Sequence, residues 1–157
     1  MVIKKMTDLP YAEDINFWKT SKSSADDWME KTKRLIVGYG GSVIAEAFGS
    51  NPSTGRGAFM LTFDMDGERF KVAWPVLPSK SNDERSARKQ AATLLYHDIK
   101  GRVLSLQIFG ARTAFFNYLM LKDGRTVSEW SRPEIIDNLP LLFAPPRPLF
   151  EGGEDHE

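Results

Sequence analysis

The sequence predicts an α+β domain in which an antiparallel sheet is packed by an N-terminal helix and a long central basic helix. Three observations predict it. Residues 58–65 and 68–74 alternate apolar and polar side chains on either side of Asp66-Gly67, a dipeptide suited to a type I′ hairpin turn. Residues 81–84 read Ser-Asn-Asp-Glu, a capping box ahead of a long stretch with helical apolar spacing. Ser23 or Ser24, followed by Asp26 and Asp27 and then by Trp28, Leu35 and Ile36, marks an earlier helix that Gly38, Gly40 and Gly41 end.

In chain order, Phe17 and Trp18 are expected to anchor the weakly patterned first twenty residues to the body. After the first helix, residues 42–48 read as a strand and residues 49–57, rich in Gly, Ser, Thr, Asn and Pro, as an exposed loop. In the hairpin, period two puts Phe59, Leu61, Phe63, Phe70, Val72 and Trp74 on one face. Met60, Thr62, Arg69, Lys71 and Ala73 take the other. The central helix is expected to run from the capping box through Gly101 to about Phe109, on an apolar stripe of Ala87, Ala91, Leu94, Leu95 and Ile99. Residues 114–121 and 125–130, around Lys122-Asp123-Gly124, read as a second hairpin near the C-terminus. Ser131-Arg132-Pro133-Glu134 opens a short helix to about Leu139. Residues 1–143 form one domain, and 144–157 a proline-rich acidic tail.

Composition narrows the function. A hydrophobic fraction of 41%, with ten Phe, supplies a core, and the absence of Cys excludes disulfides, thiolate zinc sites and cysteine nucleophiles. No signal-peptide pattern or membrane span is found, so cytoplasmic residence is expected. Zero net charge argues against indiscriminate nucleic-acid binding. The charge is unevenly placed, however. Residues 79–112 carry seven basic side chains against three acidic ones, whereas residues 151–157 carry four acids and no Lys or Arg.

Chemistry-bearing constellations are scarce. His97 and His156 are the only histidines, and Asp98 points about 100° from His97 on a helix, so no dyad forms. Asp64, Asp66 and Glu68 alternate, yet Asp66 is explained by the turn. No nucleophile elbow, zinc-protease motif or phosphate-binding loop is present. A non-catalytic protein without metal or cofactor is expected.

The central helix is more informative. At 100° per residue Arg85, Lys89, Tyr96, Lys100 and Gln107 share one stripe, about 33 Å long in a continuous helix. Cations interleaved with an aromatic suit a single strand, the cations meeting phosphates and the ring a base. Arg56, Arg69, Lys71 and Arg112 extend such a surface.

A strand, a hairpin and then a basic helix ending at Ile108-Phe109-Gly110-Ala111-Arg112 resembles, in layout, the core of single-strand DNA annealing proteins of the phage essential-recombination-function type. Thr93, Lys100, Arg102 and Phe109-Gly110 follow that family's order, with a longer interval between Lys100 and Phe109. The resemblance covers residues 42–112. It implies single-stranded DNA held against hairpin and helix, a homo-oligomer, and a DNA-processing or mobile-element setting. The alternative is a protein-interaction module that uses exposed aromatics or the Pro145-Pro146-Arg147-Pro148 tail to bind a protein partner.

Overall fold

The computed structural model describes residues 9–50 and 56–131. Helix α1 spans Ala25–Gly38, and the Ser24 hydroxyl at its N-terminus accepts the Asp27 N–H at 3.1 Å. Strands β1 (Ser42–Ser50), β2 (Gly57–Met65) and β3 (Glu68–Pro75) form an antiparallel sheet of order β1-β2-β3. The Asp66-Gly67 turn has φ of 52° and 77°, both positive, as a type I′ turn requires. It sets Phe59 opposite Trp74, Leu61 opposite Val72 and Phe63 opposite Phe70.

Helix α2 runs unbroken over Glu84–Phe109, passing Gly101 on an open surface. One sheet face packs with Met29 and Ile36 of α1 and with Ala87, Ala91, Leu95 and Ile99 of α2 in a single core. Both helices therefore lie on the side of Phe59, Leu61 and Phe63. Among the described residues no helix is long and apolar enough to cross a membrane.

Two local expectations are corrected. The cap of α2 is Asp83, whose carboxylate accepts the Ser86 N–H at 3.1 Å and the Ser86 hydroxyl at 2.8 Å. Ser81 does not cap the helix because Glu13 takes its N–H at 3.0 Å and its hydroxyl at 3.1 Å. The second hairpin is also absent from residues 114–130. Gly110, at φ 85°, turns the chain into α3 (Ala111–Ala114), a 3-10 turn follows at Phe116–Tyr118, and α4 occupies Val127–Trp130. The alternating apolar residues go to burying Phe115, whose ring centroid lies 5.2 Å from Phe63 and 5.6 Å from Phe70. A capping box between Thr126 and Glu129 commits the next residues to a helix. What remains of the hairpin is a bridge between Met120 and Thr126 around Gly124. The helix expected over 131–139 and the tail lie outside the described residues, apart from Ser131.

Glu13 ties a 3-10 turn at Ala12–Asp14 to the loop before α2. Burial pushes its carboxyl up, but the N–H groups of Lys80 and Ser81 and the Ser79 hydroxyl outweigh this and hold it at about 2, against an ordinary 4.5. The depressed value makes the contribution complete above pH 4.5 and lost as pH falls through about 2. Wild type should therefore exceed Glu13→Gln in stability at neutral pH, with the gap narrowing over that acid window in denaturant melts. A gap independent of pH would show that the carboxylate charge is not what holds the loop.

Candidate nucleic-acid interface

The side of α2 expected to face solvent is partly a packing face. Tyr96 lies 5.1 Å from Trp28 of α1, centroid to centroid, and His97 stacks on Phe17 at 4.6 Å. On another side, buried Gln90 donates to the carbonyls of Ala12, Ile15 and Asn16. Sheet, α1 and N-terminal segment thus each claim a sector of the helix, and a narrower face is left to solvent than one apolar stripe implies. Lys89 is half-buried, and Arg85, Lys100 and Gln107 remain exposed. Lys100 sits 5.9 Å from the Tyr96 ring centroid.

The other candidates lie elsewhere. Arg69 and Lys71 project from the sheet face opposite both helices, by strict alternation with buried Phe70 and Val72. Arg69 is held by Asp64, directly across the strands, at 2.8 and 3.0 Å. The Arg69 guanidinium holds the Asp64 carboxyl below its ordinary range. Lys71 and Arg56 line a cleft of about 460 Å³ on that outer face, with Tyr118 and Glu129 at its rim. Arg112 pairs with Glu68 at 3.2 Å, beside the hairpin turn. The structure therefore does not join Arg69 and Lys71 to the helix residues in one surface, because the sheet lies between them and the helix, whereas Arg56 also lines a hollow with Glu84 at the start of α2.

Thr93 and Arg102, on which the resemblance in layout rests, make contacts within the fold. Thr93 is buried, and its hydroxyl donates to the Lys89 carbonyl at 2.7 Å. Arg102 donates to Asp98 at 2.9 Å, to the Ala114 carbonyl at 3.1 Å and to Asn117 at 2.6 Å. Tyr118, under the Arg102 guanidinium at 4.2 Å, donates to Asp98 at 2.6 Å. Burial, reinforced by the Asp98 carboxylate, raises the Tyr118 hydroxyl well above its ordinary pKa. This network fastens α2 to the segment after it.

What the fold does bring together is a hollow of about 330 Å³ where the first turns of α1 and α2 meet the end of β1. Spacing of three and four residues aims Arg85, Arg88 and Lys89 into it from α2. Ser24 and Asp26 enter from the N-terminus of α1, and Phe48 from β1. The Phe48 ring is 39% exposed, rests edge-on against Phe59 at 4.9 Å, and carries the Arg88 guanidinium at 4.5 Å. Gly57 leaves room for that ring, since a Cβ there would run into it. Cations beside an aromatic face offer charge to phosphates and a platform to a base. Asp26 within the hollow, and Glu84 at 3.4 Å from Arg88, moderate the positive charge.

Sequence reasoning did not single out Arg88 and Phe48. Arg88 lies off the expected stripe, and Phe48 sits at a strand end whose neighbour is set by tertiary packing. The spacing Arg85-x-x-Arg88-Lys89 was the available signal. Comparisons with models of protein families, with curated proteins and with solved structures find no match to this chain.

Proposed function

We propose that this protein is a non-catalytic, cytoplasmic binder of single-stranded nucleic acid, most simply DNA, that seats the strand in the hollow between α1, α2 and β1. Arg85, Arg88 and Lys89 meet phosphates, and Phe48 takes a base. The single observation that carries this reading is the convergence of these cations on an exposed ring in one concavity. The resemblance in layout to annealing proteins, read from the sequence, is what favours a DNA-processing or mobile-element setting. Lys100, exposed further along α2, is available to the phosphates of a longer strand.

Fluorescence anisotropy with labelled single-stranded and double-stranded oligonucleotides at two salt concentrations tests it. Binding should favour single strands, with a log-log salt slope of about −2 for three neutralised phosphates. Arg85→Ala/Arg88→Ala should weaken it at least about tenfold, whereas Arg69→Ala/Lys71→Ala, on the far face, should leave it within about twofold. No binding at low salt, or equal losses from both pairs, would remove the hollow as the site.

A second reading rests on a separate observation. Leu104, Ile108 and Phe109, in the last turns of α2, are 62%, 75% and 65% exposed. Large apolar side chains grouped this way suit a protein partner, and failure of every oligonucleotide to bind would favour that reading.

A further inference from the structure

The two edges of the sheet are treated differently. The edge of β3 is closed by the chain itself, through a bridge from Phe70 to Leu119 and the Met120 N–H donated to the Arg69 carbonyl at 2.9 Å. Among the described residues nothing pairs with the outer edge of β1. That strand is nine residues long. A long open edge is a template for another strand, and proteins usually blunt one with lysine, proline, a bulge or a cover. Apart from a register shift of β-bulge type at Val43/Ala45, near its start, β1 carries none of these among the described residues. Its one charge, Glu46, is already paired with Lys33 of α1 at 2.6 Å.

We propose that β1 pairs antiparallel with β1 of a second copy, centred on Ala47, to form a continuous sheet across a two-fold axis. The centre follows from the side chains. Ala47 would then face Ala47 of the second copy, and Ala45 would face Gly49, small residues that allow close approach on the outer face. On the inner face Glu46 would face Phe48 of the second copy, the ring over which that copy's Arg88 lies. Carboxylate thus meets guanidinium across the axis, whereas a centre on Glu46 would oppose two carboxylates. The contact is isologous and closes at two chains. Its hydrogen bonds join backbone groups and form without nucleic acid, and because Phe48 and Arg88 also line the hollow it sets two hollows beside the axis of one assembly.

Sedimentation velocity of the full chain, without nucleic acid, over a concentration series tests the pairing. Wild type should self-associate to a species of two chains. Ala47→Lys and Ala47→Glu should each weaken association by about tenfold or more, since like charges then face each other at the axis. An equimolar mixture of the two should associate again. Far-UV circular dichroism checks that both exposed-site variants keep the fold. A wild type that stays monomeric, including one whose own C-terminal residues cover the edge, overturns the proposal. So do variants that remain paired alone, or a mixture that fails to re-associate.

Discussion

Phe115→Ala is expected to lower stability by about 3–5 kcal/mol, the usual cost of emptying a fully buried aromatic site. For a chain of this length that is a fall in Tm of roughly 6–20 °C. The ring is 0% exposed and packs on Phe63 and Phe70 from opposite strands of the hairpin. It fastens the turn after α2 to the centre of the sheet, where few atoms can move to fill the void. Its neighbour Phe116 is 52% exposed, and Phe116→Ala should change stability by no more than about 0.5 kcal/mol. Thermal and guanidinium melts of the two variants provide the check. Similar losses from both would mean that the chain after Gly110 does not enter the core as described.

Gln90→Ala should cost about 2–4 kcal/mol, a large effect for a polar residue. The Gln90 amide nitrogen donates to Ala12 at 2.7 Å, to Asn16 at 3.0 Å and to Ile15 at 3.1 Å, two N–H groups shared among three carbonyls. Those carbonyls belong to the segment that closes one side of α2, and removing the amide takes a hydrogen bond from each, although Ala12 keeps the Ile15 N–H at 3.1 Å. Gln90→Glu should be at least as damaging, because it sets a carboxylate against the same oxygens. Red-shifted fluorescence from the half-buried Trp18 should accompany the loss as the segment undocks. Melts that coincide with wild type would show that Phe17 stacked on His97, and the Ala12 N–H donated to Pro78 at 2.7 Å, hold the segment without Gln90.

Features set by chemistry within a few residues were legible from the sequence. Ser24 caps α1 as expected, Asp66-Gly67 takes both positive φ angles, and α2 continues through Gly101 to Phe109. The two faces of the hairpin also follow from alternation alone, which separates Arg69 and Lys71 from Phe70 and Val72. The α+β class follows from these elements together. Only tertiary structure decided the rest. Residues 114–130 had a hairpin's pattern, but burial of Phe115 against residues far away in sequence outweighed local strand preference. Ser81 had a cap's spacing, but Glu13, more than sixty residues earlier, claimed it. A helical wheel locates one apolar side of α2 and cannot count its neighbours. Since sheet, α1 and N-terminal segment all pack there, the stripe expected to be free is partly interior, and the usable cations meet Phe48 at the helix start. The physical reason is common to all three cases: local spacing shows what adjacent backbone can satisfy, whereas which distant groups compete for a side chain, and which surfaces cover it, depends on how the chain folds.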